Sequence, residues 1–190
     1  MYMPEYKAVE YEIYEHLPQL GVNNFVIVHL SFDSTEIVKK IVNKANRFCP
    51  DKKEVYAIVI MYLKHDSCYY KVITDSSVFK WTKLIIKNEK IFDKKLINKL
   101  VFNTNEYNIQ IPVSVTDWNT NGVAFWNLKR VKYFQIDYDH SGDDLSPEGE
   151  GKELYIKRLN YIKYIHDALL EDLPNLEFEH KNLYPDRYVR

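Results

Sequence analysis

The residues whose types and spacing suit chemistry lie between Asp137 and Glu148. Asp137, Asp139, Ser141, Gly142 and Glu148 occupy positions 1, 3, 5, 6 and 12 of a calcium-loop pattern. Calcium takes roughly six to eight oxygens, so a chain that holds it must wrap the ion and offer oxygens from alternate positions. Gly142 stands where that wrap needs an unusual backbone angle. Glu148 stands where a two-oxygen ligand closes the shell. Three features oppose the match. Asp144 fills position 8, which is usually apolar. Pro147 directly precedes the closing glutamate. The stretch before the loop, Val131–Tyr138, reads as a strand and not as a helix. The favoured reading is a solvated acidic turn in which Ser146, Pro147 and Glu148 cap a following helix. The alternative is a Ca2+ or Mg2+ site made by Asp137, Asp139, Ser141 and Glu148.

Asp117, Asp137 and Asp139 support a second chemistry. A metal-dependent nuclease or phosphodiesterase holds Mg2+ with acids at neighbouring strand ends, and the ion then meets a phosphate. Asp117 closes one expected strand, and Asp137 and Asp139 close another. The catalytic lysine expected beside such a pair is missing, and Asp139 or His140 stands in its place. The Glu179-His180-Lys181 spacing supplies an acid and a lysine, but in the tail. His29-Leu30-Ser31 resembles one half of the two-histidine phosphodiesterases, which need a second histidine to complete acid–base chemistry. His65-Asp66-Ser67 repeats that spacing, but at a turn. A histidine in an apolar strand reads more simply as core, so His29 and Ser31 are candidates of second rank.

Other chemistries lack their residues. The remaining histidines show no metal-ligand spacing. No nucleophile elbow, Walker loop or dinucleotide fingerprint occurs. The chain has five glycines, three of them within Gly142–Gly151, too few for a glycine-rich phosphate cradle. Cys49 and Cys68 are the only cysteines, which excludes a disulfide framework and a four-thiolate zinc site and fits two reduced thiols.

A length of 190 residues suits one domain, 1–190, with a core of its own. Apolar residues form 46% and charged residues 28%, which fits a globular chain. The net charge of −1 conceals two poles. Lys80–Lys99 carries seven lysines against Glu89 and Asp93, and Asp137–Glu153 carries seven acids against Lys152. The basic stretch, with Trp81 and Phe92 interleaved, permits phosphate binding and base stacking. A solvated helix face is the simpler account of it. The N-terminus shows no apolar signal region, and the longest apolar run, Tyr56–Leu63, is too short to span a bilayer. These features lead to the expectation of a soluble, cytoplasmic protein with no membrane contact.

The elements that must position these residues follow from periodicity. Tyr6, Val9, Ile13 and Leu17 define a helix that Pro18 and Gly21 end. Asn24–Phe32 reads as a buried strand. Thr35–Phe48 is a helix behind the capping box Asp33-Ser34-Thr35-Glu36. Glu54–Leu63 and Cys68–Thr74 form a hairpin. Asp93–Phe102 is a helix, and Trp81–Lys90 is compatible with a short hairpin. Tyr107–Val115, Val123–Trp126 and Val131–Tyr138 are strands, with Asp117–Gly122 as a turn. Lys152–Leu173 is the clearest helix, and Leu176–Glu179 is a short strand in a tail, 174–190, that is only partly ordered.

The order predicts an α+β domain with a mainly antiparallel sheet. A ferredoxin-like β-α-β-β-α-β core is compatible with 24–115, with added strands and a long C-terminal helix. In that arrangement the helices Thr35–Phe48 and Asp93–Phe102 share one face. The function this implies is a non-catalytic binding or inhibitory protein, with the metal-dependent enzyme and the calcium binder as alternatives. It acts on a partner protein with a basic surface through the acidic region 137–151. Tyr133, Tyr138, Asp143, Asp144, Glu150 and Tyr155 are the expected contact residues. Nucleic acid at Lys80–Lys99 is the weaker alternative.

Overall fold

The computed structural model describes residues 4–31, 56–74, 77–85, 89–100, 120–127, 130–137 and 150–180. The chain opens with helix α1, Pro4–Tyr11, which passes into a π-helical turn, Glu12–His16, and then into the short α2, Leu17–Gln19. Eight strands follow: β1, Asn24–Ser31; β2, Tyr56–Lys64; β3, Ser67–Thr74; β4, Val78–Phe79; β5, Thr82–Lys83; β6, Thr120–Asn127; β7, Arg130–Asp137; and β8, Phe178–His180. Between them lie a 3-10 turn at Glu89–Phe92, helix α3, Lys94–Leu100, and helix α4, Glu150–Asp172, which ends in a 3-10 turn at Leu173–Asn175.

All eight strands join one antiparallel sheet in the order β7-β6-β1-β2-β3-β4-β8, and β5 also pairs with β3. The architecture is therefore α+β. The order differs from the ferredoxin-like one, in which the third strand separates the first from the second. Here β1 pairs directly with β2, with Ile27 opposite Ile60. Thr35–Phe48 and Tyr107–Val115, which the ferredoxin-like reading needs, lie outside the described residues, as do Cys49 and Asp117.

The central strands read as continuous apolar runs because both faces of the sheet are covered. On one face Val26, Val28, Leu30, Val59, Met61, Val72 and Phe125 meet Tyr161, Ile162, Ile165 and Leu169 of α4. Ile91, before α3, and Leu100, its last residue, join the same cluster. On the other face Phe25, Ile27, Ile58, Ile60, Ile73 and Ala124 meet Val9, Ile13 and Leu17. Alternation along each strand sends neighbours to opposite faces, so one run serves two cores. Burial of one such side chain is worth about 1.5–3 kcal/mol.

Three local features set the helix and hairpin ends. Pro18 does not stop the first helix; it is the middle residue of α2, which continues the π-helical turn. The stop is a Schellman motif: the Gly21 N–H donates to Pro18 O at 2.9 Å and the Val22 N–H to Leu17 O at 2.9 Å. Gly21 takes φ of 70°, and Leu17 and Val22 are both buried at the contact this motif favours. The hairpin between β2 and β3 turns on His65 and Asp66, at φ of 47° and 58°. Two consecutive positive φ values match the twist of the flanking strands, the geometry usually given to Asn-Gly. Helix α3 starts one residue later than periodicity suggested, because the Asp93 carboxylate caps it: Oδ1 accepts from the N–H of Lys95 at 2.8 Å and of Leu96 at 3.3 Å.

Residues expected as turn also join the sheet. Asn121 and Gly122 lie within β6, opposite Ile136 and Gln135 of β7. The tail strand falls on Phe178–His180, with Phe178 stacked on Phe79 at 4.5 Å. No helix among the described residues is long and apolar enough to cross a membrane.

Candidate functional site

The described residues converge most densely on Lys71. Strand β3 carries this lysine in a run of buried neighbours, and it is itself only 2% exposed. A lysine held in such a place needs countercharge. Its ammonium lies 2.5 Å from Glu12 Oε1 and 2.5 Å from Glu179 Oε2. Glu12 is as buried as the lysine, whereas the Glu179 side chain is 40% exposed.

Glu12 belongs to the first helix, and periodicity alone sends it outward. The π-helical turn explains its inward position. An α-helix has about 3.6 residues per turn, so positions four apart drift around its axis. Val9, Ile13 and Leu17 are spaced by four and all buried, and the wider turn between them keeps them in line. Glu12 then shares the face towards the sheet. Its second oxygen, Oε2, accepts from the Trp81 indole N–H at 2.9 Å and lies 2.7 Å from His16 Nδ1. Trp81 Nε1 also lies 3.1 Å from His16 Nδ1. One indole hydrogen cannot serve both, so a His16 Nδ1–H directed at Glu12 leaves the indole hydrogen to the carboxylate as well.

Aromatic rings enclose this cluster. The Lys71 ammonium stands 6.0 Å from the Trp81 ring centroid. Trp81 meets Tyr62 edge-on at 4.9 Å, and Tyr62 stacks on Tyr69 at 5.2 Å. Burial, and then Tyr69 and Glu12 beside it, pushes the Tyr62 phenol above its ordinary range. His16 is stacked against Tyr11 and tilted against Trp81, both at 6.3 Å. Chemically the arrangement is a clamp. One ammonium and two carboxylates tie together the first helix, β3 and β8, with the indole of Trp81 as a further donor.

The residues singled out from sequence fall elsewhere. Asp137 ends β7 opposite Thr120, and Tyr133 lies in β7 opposite Ala124. Glu150 opens α4, and Tyr155 follows within it. Tyr138, Asp139, Ser141, Asp143, Asp144 and Glu148 lie outside the described residues. His29 is 6% exposed in the middle of β1, between Ile58 and Gly122, a core position. Ser31 ends the same strand opposite Tyr56. The Cys68 thiol is free and buried, and burial pushes it up to about 12. Among the described residues no group of three or more His, Cys, Asp or Glu is arranged to hold a metal ion.

Sequence reasoning passed over Glu12 and Lys71, and it named Trp81 and Glu179 only for other chemistry, base stacking and an acid–lysine spacing in the tail. The signal was Lys71 itself, a lysine inside the apolar run Cys68–Thr74. A charge there demands an acid from outside the strand, but nothing in the sequence says which. The chain matches no protein-family model, no curated protein and no solved structure.

Proposed function

We propose that the protein is a non-catalytic binding protein that grips a basic partner protein through its acidic region. The observation that carries this reading is the route of the chain at the sheet edge. β7 is one of the two edge strands of the described sheet, it ends in Asp137, and α4 opens at Glu150 and packs on β7. The acidic run thus leaves the sheet from an edge strand and leads into a helix that packs on that strand. A run of acids in sequence steers a basic partner and raises its association rate.

The start of α4 supports the same surface. Glu153 is exposed, and the Lys157 ammonium beside it holds its carboxyl below the usual carboxylate range. Ile156, between them in sequence, is 46% exposed. An apolar side chain among charges supplies contact area that charge alone does not. Tyr133, Tyr138 and Tyr155 are the aromatic anchors of this reading.

The test is charge reversal. The partner is captured with tagged chain and its affinity is measured against salt, first with the native chain and then with Asp143→Lys, Asp144→Lys and Glu150→Lys combined. The reading expects affinity to fall at least about tenfold and the salt dependence to flatten. Unchanged affinity and unchanged salt dependence would remove the acidic region from the interface.

A further inference from the structure

A cavity of about 640 Å3 opens at the opposite end of the β6–β7 hairpin from Asp137, between the ends of β1, β2 and β6 and the segment 92–98. Its size falls within the range of small-molecule sites, about 300–1,000 Å3. Val26, Phe125, Phe92 and Ile97 line it with apolar surface, and Leu63 stands at its side, 42% exposed. The polar lining is unusual in kind. Among the described residues it consists of three carboxamides, Asn24, Asn98 and Asn127, and one ammonium, Lys94, with no carboxylate.

The fold puts these groups together. Asn24 and Asn127 are direct partners across β1 and β6. One residue further along, Phe25 pairs with both Trp126 and Tyr62, which brings Leu63 to the same end of the sheet. Asp93 caps α3 and thereby fixes Lys94 and Asn98 on its first turns. The cap also occupies the one acid of that segment. Lys94, Lys95 and Lys99 are all exposed, so the rim on the α3 side is positive.

We propose that this cavity is a nucleotide-binding site, with the base inside and the phosphate at Lys94. The carboxamides of Asn24 and Asn127, paired across β1 and β6, each offer a donor and an acceptor side by side. That is the complement of a base edge, which displays both, and the reason Asn pairs with adenine in two-bond fashion. Aromatic walls accept a flat ring by stacking. A lysine binds phosphate as a point charge and needs no glycine-rich backbone cradle, which this chain lacks. A fatty acid would use the apolar walls and the ammonium but leave the carboxamides of Asn24 and Asn127 unused. The site accounts for part of the basic stretch Lys80–Lys99 that the acidic-surface function does not employ.

The test is titration of the full chain with AMP, GMP, CMP and UMP, followed by saturation-transfer NMR and by tryptophan fluorescence. Inorganic phosphate, laurate and a single-stranded octanucleotide are titrated alongside. At least one mononucleotide is expected to bind with Kd below about 1 mM and more tightly than phosphate or laurate. Lys94→Glu is expected to weaken it at least about tenfold. Leu63→Trp, which narrows the cavity from an exposed position, is expected to abolish saturation transfer to the base protons. Circular dichroism and thermal melting check that both variants fold. An octanucleotide that binds no tighter than the mononucleotide identifies a free nucleotide as the ligand. One that binds much tighter, with the same response to both substitutions, identifies a nucleotide within a strand. No nucleotide binding at 10 mM would overturn the proposal, and so would binding equal to that of phosphate or insensitive to both folded variants.

Discussion

Glu179 places its carboxylate 2.5 Å from the ammonium of Lys71, across 108 positions of sequence. The contact fastens the last described strand to the middle of the sheet. Backbone pairing there is brief, since β4 has two residues and β8 three. Lys80 adds an exposed pair with Glu177 at 2.9 Å. Phe178, alternating with these acids, turns to the opposite face and stacks on Phe79. The tail is thus held by charge on one face and by aromatic packing on the other.

The two carboxylates on Lys71 are unequal. Glu12 is buried and Glu179 is 40% exposed, so water screens one contact and not the other. Lys71→Met is expected to cost about 3–5 kcal/mol, because it strands the buried Glu12 carboxylate. Glu179→Gln is expected to cost no more than about 1 kcal/mol, because a half-exposed pair is weak. Urea unfolding of both variants measures the difference. Equal costs would show that the two contacts share the load and that Glu12 has other compensation.

His166 gives the protein a pH dependence. It lies on the buried side of α4, 6% exposed, and burial pulls its imidazole down to about 4. Nε2 has no hydrogen-bond partner among the described residues. The unfolded chain takes up a proton near pH 6.5, whereas the folded chain resists until about pH 4. Stability is therefore complete above pH 6.5 and declines as pH falls through this window. The expected loss is on the order of 3 kcal/mol by pH 4 from this group alone. His166→Phe should flatten the curve between pH 6.5 and 4, read by denaturant midpoints at several pH values. A curve of unchanged slope would assign the acid sensitivity to other groups.

The sequence made the sheet legible where burial is two-sided. Asn24–Phe32 and Glu54–Leu63 read as strands because continuous apolar runs are what doubly covered strands require, and they appear as β1 and β2. Strand order was not legible, since pairing partners depend on contacts far apart in sequence. The split β-α-β reading is compatible with the element order, yet β1 and β2 sit side by side. The Lys71 site was half legible. Lys71 announces a buried charge. Glu12 and Glu179 do not announce themselves as its partners, because one needs a π-helical turn and the other a strand 108 positions away. The cavity was not legible at all. Three asparagines from β1, α3 and β6 look like ordinary polar ends until the register of β1 against β6 brings Asn24 opposite Asn127.

The hairpin at His65 and Asp66 stores avoidable strain. Both residues have positive φ, at 47° and 58°, where a Cβ is unfavourable. Asp66→Gly is expected to raise stability by about 0.5–1 kcal/mol, since glycine takes this backbone without penalty. Thermal unfolding reads the gain. A loss instead would mean that the Asp66 side chain supports the turn by more than the strain it imposes.

Cys68 should be inert in the folded protein. Its thiol is 2% exposed and pushed up to about 12, so at pH 8 the thiolate is roughly a thousandfold scarcer than for an ordinary cysteine. Labelling with a maleimide, followed by mass spectrometry of the Cys68 peptide, should show reaction only after denaturant is added. Rapid native labelling would mean that this part of β3 opens readily.

The most direct measurement of the proposed function is amide hydrogen exchange of the chain alone and bound to its captured partner. Contact through the acidic region predicts new protection in β7, Arg130–Asp137, in the connection 138–149 and in the first turns of α4 from Glu150. Protection confined to other surfaces, such as α1 or the cavity beside Lys94, with exchange at the β7 edge unchanged, would contradict it.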